Sequence, residues 1–105
     1  MRWVDFNFFG HQISAHLTNK KEYKTETNNV DQKQIPIRHF GIILDWQDWI
    51  NLSEKFINLK LDFIVKPYIR FKGEIGEQAT MFIKDPSENV LEFKCFKNFD
   101  SIFSK

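Results

Sequence analysis

The chain has 105 residues, 42% hydrophobic and 28% charged, a composition typical of a single globular domain with its own core. Its 15 basic and 14 acidic residues show no strong segregation, which argues against a nucleic-acid partner because such partners normally require a basic stripe. The apolar runs, such as FGIIL at residues 40–44, are far too short to span a bilayer, so we also expect no membrane partner.

Cysteine usage predicts a cytoplasmic location. The single cysteine, Cys95, has no partner within the chain for a disulfide, which favours a reducing compartment. It lies on the apolar side of an alternating strand, so we interpret it as a core residue rather than a nucleophile. Asp5 and Asn7 interrupt the N-terminal segment where a signal peptide needs an unbroken apolar stretch.

The first 17 residues predict a β-hairpin. In WVDFNFF, apolar residues alternate with polar ones, and Gly10 and His11 then turn the chain. The second strand, QISAHL, places three polar residues on the face away from its apolar side chains: Gln12, Ser14 and His16.

Residues 18–35 predict a long connector. The stretch TNKKEYKTETNNVDQKQ offers almost nothing suited to a hydrophobic core. Connectors of this length are typical of lids over binding sites and equally of tethers between half-units, so both readings stay open.

Residues 36–97 predict a β-α-β-β-β unit. The strand IPIRHFGIIL leads to Asp45, a good helix N-cap, and to a helix over residues 46–60. The apolar stripe of this helix recurs at helical spacing: Trp49, Leu52, Phe56 and Leu59. Three strands follow, DFIVKPYIRF, EQATMFIK and NVLEFKCF, the last two joined by the turn DPSEN. With one helix against a curved mixed sheet and a tail over 98–105, the chain is predicted to be a single α+β domain.

Polar side chains recur on the strand faces that point away from the core. If the sheet curves, these residues line one concave surface, here called the cup face. The polar ones are Asp5, Asn7, Gln12, Ser14, His16, His39, Gln78, Thr80 and Glu92, and the aromatic Phe82 shares their face. Within this set His39 and Glu92 combine an imidazole with a carboxylate, the ligand types of a divalent metal with open positions. A strand histidine is also commonly a hydrogen-bonded structural residue, and a strand glutamate commonly pairs with a lysine or arginine.

The segments RHFGIIL and ATMFIKDPSENVLEFKCF resemble the vicinal oxygen chelate superfamily, which includes glyoxalase I, extradiol dioxygenases and bleomycin resistance proteins. The resemblance covers residues 36–97 and implies that His39 and Glu92 are metal ligands and catalytic residues. The implied cofactor is iron(II), manganese, zinc or nickel, which chelates two neighbouring oxygens of a small molecule. His16 is the candidate third ligand, and the candidate substrate contacts are Gln12, Ser14, Tyr68, Arg70, Gln78, Thr80 and Phe82.

Three features of the sequence depart from the family pattern. Residues 1–17 match the last two strands of a first unit whose opening β-α-β is expected to be missing, so a homodimer is expected to complete the cup. Phe82 stands where ring-cleaving dioxygenases commonly carry a tyrosine. Glu88 occupies a turn position that usually holds glycine, which tolerates a positive φ.

Three functions follow as hypotheses. The first is a metal-dependent enzyme of dioxygenase or glyoxalase type. The second is a resistance-type protein whose aromatic cup sequesters a small molecule without turnover, as the richness in Phe and Trp allows. The third is a truncated family member that dimerises and has little or no chemistry.

Overall fold

The structure is a computed structural model that describes residues 2–19 and 26–103, and over these residues it is an α+β fold. The strands are β1 (Trp3–Phe8), β2 (His11–His16), β3 (Thr27–Val30), β4 (Lys33–Pro36), β5 (Phe40–Leu44), β6 (Phe63–Arg70), β7 (Gln78–Lys84) and β8 (Val90–Phe96). The helix α1 spans Trp46–Asn58, and a 3₁₀ turn at Phe99–Ser101 follows β8. The fold class predicted from the sequence is therefore confirmed.

Strands β5 to β8 form one mixed sheet in the order β5-β8-β7-β6. The pairings β6–β7 and β7–β8 are antiparallel, whereas β5 runs parallel to β8, with Phe40 opposite Leu91. Because α1 connects β5 to β6 across one face, the predicted β-α-β-β-β unit is present. The predicted hairpin, β1–β2, precedes it as a separate two-stranded sheet.

Helix α1 begins where the sequence predicts and ends two residues earlier. The Asp45 side chain accepts a 2.8 Å hydrogen bond from the Asp48 backbone N–H and caps the first turn. Lys60 adopts φ +57°, which no α-helix continues, so the helix stops at Asn58 and Leu59 is 61% exposed instead of buried. No helix within the described ranges is long and apolar enough to cross a membrane.

The core lies between α1 and one face of the mixed sheet. The Trp49 side chain is 6% exposed, and its indole N–H donates a 2.8 Å hydrogen bond to the Phe93 carbonyl on β8. Met81 and Cys95 are fully buried beside it, which confirms Cys95 as a core residue. Burial raises the pKa of the Cys95 thiol to about 11, so the thiolate is strongly disfavoured at neutral pH.

The predicted connector contains a second hairpin, β3–β4, and this differs from the expectation of a segment without core residues. Val30 and Ile35 pack against Val65, Phe82 and neighbouring apolar side chains on the cup face. Consequently the predicted strand over residues 35–44 is two strands, β4 and β5, separated by a bend. Residues 20–25 of the predicted connector, and residues 104–105 of the predicted tail, lie outside the described residues.

The DPSEN turn has the geometry that the sequence implied. Asp85 accepts 2.8 Å hydrogen bonds from the backbone N–H groups of Ser87 and Asn89. Glu88 has φ +69°, so the position usually held by glycine does adopt the left-handed conformation here. For a residue with a side chain this costs about 1–2 kcal/mol. The Lys84 ammonium lies 3.1 Å from the Glu88 carboxylate, on the exposed surface.

The β1–β2 hairpin projects an apolar face into solvent. Val4 is 50% exposed and Phe6 is 52% exposed, although both lie on the side of the hairpin that alternation assigns to a core. The tip of the hairpin contacts the mixed sheet: the Phe8 ring centroid is 6.0 Å from that of Phe40, and Phe9 is 6.2 Å from Phe93.

Candidate metal and ligand site

His39 and Glu92 meet on the cup face at the parallel β5–β8 pair. His39 directly precedes β5, and Gly41, two residues later, lies opposite Glu92 in the ladder. The distance from His39 Nε2 to Glu92 Oε1 is 3.5 Å. The Glu92 side chain is 16% exposed, whereas the His39 side chain is 28% exposed on a residue that is exposed as a whole. The structure therefore brings together the two residues that the resemblance singles out.

Gly41 makes this approach possible. A Cβ built on Gly41 would lie 1.6 Å from the Glu92 carbonyl oxygen, a distance that no side chain tolerates. The absence of a side chain at Gly41 thus lets β5 lie directly against β8 at the row that carries Glu92.

A contact with the Pro36 backbone carbonyl orients the His39 ring. His39 Nδ1 lies 2.8 Å from the Pro36 carbonyl oxygen, which only accepts hydrogen bonds, so Nδ1 carries the proton. In the neutral ring the Nε2 lone pair then faces the Glu92 carboxylate. Two acceptors so close repel each other unless a cation lies between them, either a proton on Nε2 or a metal ion.

The second oxygen of Glu92 is held by two donors. The Thr80 hydroxyl donates a 2.6 Å hydrogen bond to Glu92 Oε2, and the Lys94 ammonium lies 3.5 Å from the same oxygen. Thr80 is 2% exposed, so this bond is shielded from water. The ring of Phe82, 3% exposed, meets His39 edge-on at 5.0 Å between centroids and forms an apolar wall.

Tyr68 and Arg70 form a second cluster on β6. The Tyr68 hydroxyl and Arg70 Nε both donate to Asp31 Oδ2, at 3.0 and 2.5 Å. Burial, followed by the hydrogen bond with Asp31, raises the pKa of Tyr68 to about 12. The Arg70 hydrogen bond holds the pKa of Asp31 below its usual range. Gln78 lies opposite Arg70 in the ladder, and its side-chain oxygen is buried with no protein partner among the described residues.

The candidate residues of the β1–β2 hairpin do not join these two clusters. The Ser14 hydroxyl donates to Asp5 on the neighbouring strand, and the exposed His16 ring stacks on Trp3 at 6.3 Å between centroids. Gln12 is exposed opposite Asn7. In residues 2–19 and 26–103, no three His, Cys, Asp or Glu residues are grouped as a metal site. Within one chain His16 therefore does not complete the pair of His39 and Glu92.

The structure adds residues that sequence reasoning missed. Lys94 shares the face of Glu92 because it lies two residues further along the same strand, and this parity was a readable signal. Asp31 gave no such signal, since its role depends on the fold of the β3–β4 hairpin.

An open cleft of about 430 Å³ reaches His39 between the β4–β5 bend and the turn that carries Glu88.

Comparison with known proteins supports the family that the sequence resembles. The chain matches a solved structure described as a glyoxalase/bleomycin resistance protein/dioxygenase from Alicyclobacillus acidocaldarius, with a TM-score of 0.76 and 28% sequence identity. The match covers 96% of this chain and 71% of that one. No protein-family model and no curated protein matches the chain. The chain thus has the glyoxalase/bleomycin resistance/dioxygenase fold, and the likeness supports a place in the vicinal oxygen chelate superfamily.

Proposed function

We propose that this chain is a glyoxalase- or dioxygenase-like protein that binds a divalent metal through His39 and Glu92 and takes a small molecule with two neighbouring oxygens. The observation that carries the proposal is the 3.5 Å separation of His39 Nε2 and Glu92 Oε1 on the cup face. A cation about 2.1 Å from each of two ligands at a tetrahedral angle sets them about 3.4 Å apart. The two atoms are thus spaced as neighbouring ligands.

The surrounding residues fit that role. The Pro36 carbonyl fixes the His39 tautomer, leaving Nε2 free to coordinate, and the Thr80 hydroxyl holds the Glu92 carboxylate by its other oxygen. Such outer contacts commonly set the orientation and basicity of metal ligands. A bound metal would supply Lewis acidity toward two neighbouring substrate oxygens. Phe82 would wall the site with an apolar ring.

Two protein ligands are fewer than the three that catalytic sites of this kind typically use. We propose that a second copy of the chain supplies the third, and that the copies associate through the exposed apolar face of β1–β2. Val4 and Phe6 form that face, and His16 lies on the same hairpin, exposed and outside the site of its own chain. The dimer thus covers apolar surface and brings in an imidazole.

The first test is metal content per chain, by elemental analysis of protein purified without chelators or a metal affinity column. The proposal predicts a stoichiometric first-row metal, or its uptake when iron(II), manganese, zinc or nickel is added. Glu92→Gln should weaken binding at least tenfold, as a rough expectation for loss of a charged ligand. Glu88→Gln is the matched control, because Glu88 is exposed on the turn. Protein that stays metal-free would refute the proposal.

Mixing two variants tests whether the site is shared. His16→Ala and Glu92→Gln should each lose the metal when pure. If the copies exchange, a mixed dimer pairs an intact His39 and Glu92 with the other chain's intact His16, so binding returns to about one metal per four chains. Equal loss before and after mixing, once mixed dimers have been shown by native mass spectrometry, would refute the shared site. A monomer that binds a full complement of metal would also exclude the shared site.

A second candidate function is metal-free sequestration of a small molecule, favoured by the Lys94 ammonium 3.5 Å from Glu92. That cation already offsets the carboxylate charge without a metal. In this case ligands stabilise the protein equally with and without chelator, and Lys94→Met impairs binding. Under the metal proposal Lys94→Met leaves metal uptake intact, so the same variant separates the two functions.

A further inference from the structure

The β3–β4 hairpin lies over the apolar half of the cup face. Ile35 on β4 is 9% exposed and packs with Val65, Phe82 and Val90 of the mixed sheet. The hairpin therefore occupies the surface on which a ligand of this face would rest, beside Phe82 and the His39 ring that Phe82 contacts.

The turn of this hairpin is made by residues that do not favour it. Asp31 has φ +52° and Gln32 has φ +62°, so both central residues of the two-residue loop are left-handed. Turns of this kind strongly prefer Asn-Gly or Gly-Gly because a side chain is unfavourable at positive φ. Contacts outside the turn must therefore help to hold this conformation.

The contacts come from Tyr68 and Arg70. Both donate to one oxygen of the Asp31 carboxylate, and the Lys33 ammonium lies 4.0 Å above the Tyr68 ring. A phenol, a guanidinium and a nearby ammonium together form a carboxylate-binding group, because a guanidinium presents its donors in a planar fork. Gln78, opposite Arg70 in the ladder, adds a buried amide oxygen with no protein partner among the described residues.

We propose that Tyr68 and Arg70 form a carboxylate-binding subsite in which Asp31 stands in for the ligand. A small apolar organic acid displaces the Asp31 carboxylate, and the β3–β4 hairpin then lifts from the cup face. The acid's hydrocarbon part takes the place of Ile35 against Phe82 and Val65. The displacement exchanges one set of hydrogen bonds for another and forms no covalent bond.

The subsite also restricts the substrate to molecules that carry a carboxylate in addition to two neighbouring oxygens. This step alone rests on the proposed function. On the cup face, Tyr68 and Thr80 are one side-chain repeat from the row of Glu92, and Arg70 is two repeats away. Measured along the strands, the row of Tyr68 and Thr80 is roughly 7 Å from the row of Glu92, and the row of Arg70 is roughly 14 Å from it, since each repeat spans two residues. The carboxylate bound by Arg70 is therefore distinct from the two oxygens offered at His39 and Glu92.

The test uses benzoate as the probe and benzamide as its uncharged analogue, on the full chain without added metal. Asp31→Asn removes the competing charge while placing a residue that favours the turn. It should tighten benzoate binding about tenfold in calorimetry and speed amide hydrogen exchange in residues 27–36. Asp5→Asn, the same charge change on β1, should leave both unchanged. Arg70→Lys keeps the charge but loses the fork, and should weaken benzoate binding about tenfold.

The results distinguish a carboxylate-binding subsite from a purely structural role of Asp31. If Asp31 is purely structural, Asp31→Asn speeds the exchange of residues 27–36 but leaves benzoate binding unchanged, and this result would overturn the subsite. Equal binding of benzoate and benzamide, or no benzoate binding by any variant, would overturn the subsite. Because no metal is present, a failure here leaves the metal measurements with Glu92→Gln untouched, and the reverse also holds.

Discussion

The Thr80 hydroxyl lies 2.6 Å from Glu92 Oε2, on the opposite side of the carboxylate from His39. Thr80 is on β7 and Glu92 on β8, two ladder positions out of register, so the bond crosses the strands diagonally. Neither group would hold this position by itself: the hydroxyl is 2% exposed and needs an acceptor, and the carboxylate needs donors.

Thr80→Val removes this hydrogen bond while keeping the shape of the side chain. We expect the free energy of unfolding to fall by about 1 kcal/mol, because a largely buried carboxylate oxygen loses a donor. Metal affinity should fall roughly tenfold, since the carboxylate is no longer oriented. Denaturant unfolding and calorimetric titration measure the two effects. Thr80→Ser keeps the hydroxyl and should recover metal affinity; if it binds no better than Thr80→Val, Thr80 does not act as a positioning residue.

Gly41→Ala should disrupt the β5–β8 pair. The new Cβ meets the backbone of Glu92, which cannot rotate away as a side chain would, so β5 must shift. We expect a loss of about 3 kcal/mol of unfolding free energy. The matched control is Gly76→Ala, where the nearest atom to an added Cβ is 4.0 Å away on the Phe71 side chain. Similar stabilities for the two variants would contradict the close packing at Gly41.

Trp49→Phe should weaken the attachment of α1 to the sheet. The variant loses the indole hydrogen bond to the Phe93 carbonyl and part of a buried ring, at a cost of about 2–3 kcal/mol. Trp46→Phe serves for comparison, because Trp46 is only partly buried against the core. The prediction fails if thermal or denaturant unfolding shows Trp46→Phe to be the more damaging change.

The high pKa of Tyr68 predicts a loss of stability in alkaline solution. Burial and the Asp31 hydrogen bond favour the neutral phenol in the folded state, with a pKa of about 12 against an ordinary value of 10. The folded state therefore holds the proton more tightly, and this stabilisation is complete below pH 10 and is lost as pH rises toward 12.

Absorbance titration of tyrosinate measures this directly. The chain has two tyrosines, so a Tyr23→Phe background leaves Tyr68 as the reporter. We expect its ionisation near pH 12, and a lower midpoint in Asp31→Asn that stays above 10 because burial is the larger cause. A midpoint at 10 in the folded protein would show that the Tyr68 hydroxyl is neither buried nor held by Asp31.

Alternation along the strands was enough to predict much of the site. Thr80, Phe82 and Glu92 face the cup, while Met81 and Cys95 face the core, because successive side chains of a strand alternate. The strand pattern also put His39 on the cup face, within a predicted strand, and the resemblance implied its role as a ligand. In the structure it precedes β5, after the bend that separates β4 from β5.

The pairing between distant segments could not be predicted from alternation along the sequence. The β6–β7 ladder shifts register between Phe63 and Tyr68, so Phe63 packs on the core while Val65 packs on the cup face. Alternation would place both on one side. The β3–β4 hairpin lacked the expected turn signal because Asp31 and Gln32 are held at positive φ with the help of Arg70 and Tyr68, which lie far along the chain.

The parallel β5–β8 pair also fixes when the site comes into existence. The strands β6, β7 and β8 pair with their sequence neighbours, whereas β5 must wait for the last strand of the unit before it gains its partner. Pairings between distant segments are slow because the chain entropy is lost before the contacts form. During synthesis, His39 therefore leaves the ribosome long before Glu92 and has no carboxylate beside it until β8 has emerged. We therefore expect closure of the sheet and assembly of the His39–Glu92 pair to be a single late folding event.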